Sequence, residues 1–242
     1  MTNPNISSPE NIKQHKPRPM IDLLVSIIIP SIILMKFSDE NTLGVTAGLV
    51  LALAFPLGWG LYERFKYKKT NFIAVLGLIS ILLTGGIGLM ELDPQWLAVK
   101  EAAIPAIIGA AVLISTRTRF PLIKTMLFRP EVFNIDKVTE KLQERDNTDT
   151  FEQRVLYSTY FLAGTFFFSA AMNYILAKLI VTSPAGTSAF NEELGRLTLI
   201  SYPVIAIPSM IMMFGVFYYL WRTIRNMTGL RLEEILITED KN

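Results

Sequence analysis

The stretch NFIAVLGLISILLTGGIGLM, residues 71–90, runs for twenty residues without a charged side chain. A helix rises about 1.5 Å per residue, so a run of this length reaches across the roughly 30 Å hydrocarbon core of a bilayer. Five further apolar runs lie on either side of it, at about 20–35, 43–62, 96–115, 157–181 and 197–221. The expected fold is therefore all-α, a polytopic membrane protein whose six helices form a transmembrane bundle. Between and beyond the spans lie a polar tail (1–19), a loop (116–154) and a second tail (222–242).

Composition points the same way. Of 242 residues, 51% are hydrophobic and only 18% charged, where a soluble domain carries about 25% charged residues. The mean hydropathy is +0.38, and the charges gather between the apolar runs rather than within them. There is no cysteine, so disulfides, thiolate metal sites and cysteine nucleophiles are excluded. The one histidine, His15, sits in the polar N-terminal tail, so neither haem nor a metal held by paired imidazoles is expected, and no cofactor is called for. That tail is Pro-rich (Pro4, Pro9, Pro17, Pro19) and has none of the marks of a cleaved signal peptide. The first apolar run is thus expected to stay as a helix.

Lysine and arginine set the orientation. With the N-terminus inside, the inner segments hold 19 of the 23 basic residues, and the outer loops hold only Lys36 and Arg196. The remaining two, Lys100 and Lys178, fall within spans. Both termini are therefore expected in the cytoplasm, in a multi-pass protein of a bacterial inner membrane. The outer loops (36–42, 91–95 and 182–196) are short, and residues 116–154 form the one sizeable soluble segment. In that loop Phe120, Ile123 and Leu127 recur at helical spacing, which suggests an interfacial helix. Ile135, Val138 and Leu142 do the same behind Asn134, a candidate N-cap. This second helix can pack beneath the bundle, meet a partner, or serve as a solvated connector.

Intramembrane charge is the sharpest functional signal, since an ionisable group at the bilayer centre costs roughly 3 kcal/mol or more. Lys100 and Glu101 lie about 6 to 8 Å inside the outer end of the fourth span. Lys178 is at similar depth in the fifth, with Asn173 about a turn and a half deeper. These four can line a polar pocket open to the outer face. Alternatively, the two lysines snorkel to the interface and Glu101 pairs with one of them. Asp22, near the inner interface, reads as a helix-start residue rather than a proton carrier.

Three spans share a proline motif, Ile29-Pro30-Ser31, Ile104-Pro105-Ala106 and Ile207-Pro208-Ser209. A proline within a span frees a carbonyl and kinks the helix, so Pro30, Pro105 and Pro208 are candidate kinks or hinges. Gly44 with Gly48, and Gly85, Gly86 and Gly88, suit close helix packing. No glycine-rich phosphate loop is present, and no nucleic-acid partner is expected.

The segment Pro121-Leu122-Ile123-Lys124-Thr125-Met126-Leu127 follows a span that ends Val112-Leu113-Ile114-Ser115. It resembles the P-L-I-x-x-M-L segment of the bacterial inner-membrane intracellular septation protein A family. The basic hairpin Tyr62-Glu63-Arg64-Phe65-Lys66-Tyr67-Lys68-Lys69 sits in the corresponding place. The whole chain looks like a divergent branch of that family. This rests on Phe55-Pro56-Leu57-Gly58, Thr84-Gly85-Gly86-Ile87-Gly88, Lys100-Glu101-Ala102-Ala103-Ile104-Pro105 and Phe190-Asn191-Glu192-Glu193-Leu194-Gly195-Arg196. The resemblance covers most of residues 20–230, and it departs in the N-terminal tail and the extended inner loop. It implies an association with cell division and envelope synthesis, with no established catalytic activity. By the same resemblance, the partners would be division or envelope-synthesis membrane proteins within the lipid bilayer.

Two readings follow. One is a non-enzymatic inner-membrane protein that supports envelope or septation processes. The other is a small-molecule or lipid transporter with an outer-leaflet polar pocket. A membrane enzyme ranks below both, because no clustered His, Cys or paired carboxylates of catalytic type occur. The sequence leaves room for a homo-oligomer. The segment 190–196 is expected to be a loop whose Arg196 meets lipid headgroups, rather than a lid over the pocket.

Overall fold

The computed structural model describes residues 19–67, 72–117 and 134–235, and all regular structure among them is helical. The expected interfacial helix around Phe120, Ile123 and Leu127 lies outside the described residues, as do residues 1–18 and 236–242. In chain order the elements are α1 (Pro19–Leu23), a π turn (Leu24–Ile28), α2 (Ile29–Lys36), α3 (Val45–Tyr67), α4 (Phe72–Leu89) and α5 (Gln95–Ser115). Then come α6 (Ile135–Glu144), α7 (Thr148–Ile180), α8 (Ser188–Ser201), a second π turn (Tyr202–Ala206), α9 (Ile207–Thr228) and α10 (Leu232–Ile235).

Four helical stretches are long and apolar enough to cross a membrane: Val45–Tyr62, Gln95–Ser115, Thr148–Ile180 and the continuous run Ser188–Thr228. This marks the chain as a membrane protein. Of the other two stretches expected to span, 20–35 is helical but broken, and the described part of 71–90 forms a shorter helix. The first is interrupted by a π turn, and the apolar part of α4 counts as a shorter helix, Val75–Leu89.

The chain divides into two compact units, Met1–Pro94 with Ile180–Leu199, and Gln95–Leu179 with Ile200–Asn242. In the first unit α2 packs along α3, and α3 packs on α4. Gly48 lets α3 close on Ser38, while Gly85 and Gly88 admit the side chains of Leu53 and Leu49. Gly44 is not a packing glycine: it sits before α3 with φ +79°, where a side chain would be strained, and Gly86 faces open space.

The segment 190–196, expected as a loop, is instead part of α8. Thr187 starts the helix, its hydroxyl accepting from the N–H of Phe190 at 3.2 Å, as an N-cap side chain does. The apolar residues then fall on one face. Phe190 is fully buried, Leu194 and Leu197 are buried below it, and Gly195 lies so close to α2 that a Cβ would sit 2.8 Å from the Ser31 carbonyl. The amide of Asn191, also fully buried, donates to the Val45 carbonyl at 2.8 Å, fixing α8 to the start of α3.

The second unit is built on α7, whose 33 residues would extend about 50 Å, well beyond a bilayer core. Its N-terminal turns carry Phe151, Val155 and Leu162 into a buried cluster with Leu220, Ile224 and Met227 of α9. Val138 and Leu142 of α6 belong to the same cluster, as do Leu230 and Ile235. Asn134 caps α6, accepting from the N–H of Lys137 at 3.1 Å, and its own N–H donates to the Ile235 carbonyl at 2.9 Å. The helix expected behind Asn134 therefore packs on its own chain.

Two contacts close this module. The Asn147 amide donates to the Met227 carbonyl at 3.1 Å, near the end of α9. Gly229 then turns the chain with φ +71°, against the Arg145 guanidinium. Glu234 of α10 accepts from the Arg231 N–H at 2.9 Å and pairs with Lys137 at 3.0 Å. The Arg231 N–H, and then the Lys137 ammonium, hold its carboxyl below the usual carboxylate range.

Leu142 is 4% exposed inside the cluster, so Leu142→Ala is expected to cost about 2–5 kcal/mol. Glu140→Ala, on the exposed face of the same helix, should change stability by no more than about 0.5 kcal/mol. Denaturant unfolding in detergent compares the two. Equal effects would mean that α6 does not pack as described.

Candidate functional site

Within a helix, sequence neighbours point about 100° apart, so adjacent side chains meet only when one stem wraps round. Lys100 and Glu101 of α5 do meet, with Nζ 2.6 Å from Oε1. The lysine side chain is 7% exposed and the glutamate 30% exposed, so the pair lies at the edge of the buried region. Each group neutralises the other where water is scarce, which lowers the cost of placing either there.

The other two candidates are placed differently. Asn173 donates to the Ser169 carbonyl at 2.8 Å and its hydroxyl at 3.3 Å, one turn earlier on α7. Lys178, in the last turn of α7, is exposed. Among the described residues neither makes a polar contact with the Lys100–Glu101 pair. Of the four candidates, then, Lys100 and Glu101 are paired with each other, Asn173 is satisfied by its own helix, and Lys178 is an exposed ammonium.

The proline motifs separate into two kinds. Pro30 cannot donate to Ser26, and the turn before it opens so that the Ile29 N–H reaches the Leu24 carbonyl, five residues back. The Ile207 N–H likewise reaches Tyr202 just before Pro208. The wider π turn gives each proline ring room beside the carbonyl it would otherwise strike. Pro105 instead lies within an uninterrupted α5, as Pro56 does in α3. The hydroxyls of the two motif serines, Ser31 and Ser209, are buried with no hydrogen-bond partner.

Two polar arrangements were not anticipated from the sequence. Asp22 accepts from the Trp59 indole N–H at 3.0 Å, tying α1 to α3 beside an apolar cavity of about 420 Å³ lined by Val25, Ala54, Phe55, Gly58 and Trp59. Asp22 thus does more than start a helix. The Glu193 carboxylate accepts four hydrogen bonds, from the N–H groups of Thr182 (2.9 Å) and Ser183 (2.8 Å) and from both hydroxyls. It therefore shapes the turn that leads into α8. An indole donor opposite a membrane aspartate, or two hydroxyl residues eleven and ten positions before a glutamate, has no fixed sequence pattern, so neither was visible in advance.

Among the described residues no group of three or more His, Asp or Glu is placed to hold a metal ion. Compared with known proteins, the chain matches no family model, no curated protein and no solved structure.

If the Lys100–Glu101 pair is structural, Glu101→Gln should destabilise the protein by roughly 1–3 kcal/mol, since it takes a carboxylate from a buried ammonium. Replacing both residues, Lys100→Met with Glu101→Leu, should recover most of that loss. Thermal unfolding in detergent reads both, and a double variant no better than the single one would contradict a purely structural pair.

Proposed function

We propose that this chain is a non-enzymatic, six-span protein of a bacterial inner membrane that supports cell-envelope or septation processes. In this reading both termini are cytoplasmic, and 19 of the 23 basic residues lie on the inner side. The shorter helical stretches, 19–36 and α4, complete the six spans. At 18 residues each they extend about 27 Å, close to the bilayer core if the membrane thins slightly around them.

One observation carries the proposal: α6 and α10 are packed, with the adjoining ends of α7 and α9, into one buried cluster that continues onto α5 and the apolar part of α7 and α9. A mere connector between spans has no need to be anchored in this way. A rigid body of this kind at the inner face suits docking to other membrane proteins, and its exposed face on α6 carries Asp136 and Glu140. The link to envelope or septation processes rests on the resemblance of the sequence segments. A transporter with an outer-leaflet pocket is less well supported. It requires Lys100, Glu101, Asn173 and Lys178 to share one cavity, and two of these are engaged elsewhere or exposed.

The absence of native cysteine makes the topology directly measurable. Glu40→Cys is expected to react with a membrane-impermeant maleimide in intact spheroplasts, whereas Glu140→Cys and Glu233→Cys should react only after lysis. Labelling of all three from outside would overturn the six-span arrangement.

Function is tested by complementing a deletion strain's envelope-stress phenotype, with membrane levels checked. Lys100→Ala and Glu101→Gln are expected to rescue. The charge reversal Asp136→Lys with Glu140→Lys should insert normally and fail. The opposite pattern would favour transport or ligand binding.

A further inference from the structure

The α7 and α9 helices carry a second polar feature that the proposed function does not use. Tyr218, Arg222 and Asn226 recur every fourth residue along one face of α9, and Arg154 of α7 lies across from them. Together with Tyr219 and Met227 they line a cavity of about 350 Å³. No carboxylate is among the lining residues. Neither guanidinium has an ion-pair or hydrogen-bond partner among the described residues. By contrast, Arg225 on the same helix stacks over the Trp221 ring at 5.8 Å.

Two unpaired guanidiniums facing one space repel each other and are stabilised together by a single anion. A planar fork with several N–H donors suits phosphate oxygens above other anions. The rest of the wall holds Thr223 and Asn226 together with the two tyrosines and the buried Met227 side chain, and these last three suit an apolar neighbour rather than a fully hydrated ion. The ligand class that offers both is a phosphate diester bearing hydrocarbon. Arg154 and Arg222 also flank the ends of the expected spans at 157 and 221, where headgroups lie.

We propose that Arg154 and Arg222 bind the phosphate of an anionic phospholipid, with Tyr218, Tyr219 and Met227 against its glycerol and upper acyl chain. Asn226 contributes a neutral donor at the rim. The site places one lipid between the extended N-terminal part of α7 and the C-terminal part of α9, beside the core that carries the inner-face module. It depends neither on the septation reading nor on the fate of the Lys100–Glu101 pair.

The test uses the full chain, purified in detergent and titrated with phosphatidylglycerol or phosphatidylcholine, with bound lipid counted by native mass spectrometry. Phosphatidylglycerol is expected to occupy one site in preference to phosphatidylcholine. Arg154→Gln and Arg222→Gln should each weaken that binding about tenfold or more, and the Lys versions, which keep charge but lose the fork, should fall between. Arg225→Gln, which removes the same charge from outside the pocket, should leave binding unchanged. All these positions are exposed, and a matching unfolding midpoint checks that each variant is folded. Equal weakening by Arg225→Gln would show diffuse surface charge and overturn the site. Displacement of the lipid by millimolar inorganic phosphate or glycerol phosphate would overturn the lipid assignment in favour of a soluble phosphate ester.

Discussion

Inside a bilayer no water is at hand to take up a free backbone carbonyl or N–H, and each one left unpaired costs several kcal/mol. Helices satisfy this constraint, and the chain departs from regular α geometry where proline makes it impossible to keep. At Pro30 and Pro208 the ladder widens by one residue, so that Ile29 and Ile207 each find a carbonyl five positions back. Several hydroxyls follow the same rule, though those of Ser31 and Ser209 do not: Ser158, Thr159 and Thr165 return their hydrogen bonds to carbonyls four residues earlier on α7. Thr228 does so at the end of α9. Such back-bonding lets polar residues sit among apolar ones without any partner on another helix.

With the ladder closed, packing decides where helices touch. Hydrophobic burial gives little drive between spans, so close approach over small residues matters more. Gly195 shows this best. It faces α2 at a distance no side chain could share, and its neighbours Phe190 and Asn191 are the most buried residues of α8. One turn of α8 thus brings together an aromatic anchor, a backbone-seeking amide and a close-contact glycine. The Phe190–Arg196 segment, singled out from the sequence only by resemblance, thereby gains a physical role as the seat of α8 in its unit.

The parts of this fold that were legible in the sequence are those with a strong local signal. Long runs of apolar residues announced the helices, and Asn134 ahead of Ile135, Val138 and Leu142 announced a capped amphipathic helix, which forms as expected. The errors lie where the signal was tertiary. Residues 190–196 carry two glutamates and an arginine, a composition that reads as a polar loop. They are helical because one face is buried by α2, α3 and α4, something no local pattern reveals. The N-terminal turns of α7 were likewise assigned to a loop, although Phe151, Val155 and Leu162 keep a helical spacing that reaches back from the span. Of the candidate polar pocket, the sequence located each residue but could not know that Asn173 would satisfy itself on α7. That depends on which way a side chain turns.

Several charges near the membrane are handled by pairing. Asp22 takes the indole of Trp59, Lys100 takes Glu101, and Glu193 is surrounded by four donors. Outside the spans Lys137 finds Glu234 and Lys141 finds Glu144. Others, such as Lys178, are simply exposed. Arg154 and Arg222 differ from these in sharing one cavity with no carboxylate in its wall. For the pairs above the counter-charge comes from the chain itself; here the geometry leaves it to come from outside, and at the level of the headgroups the most abundant anion is a lipid phosphate.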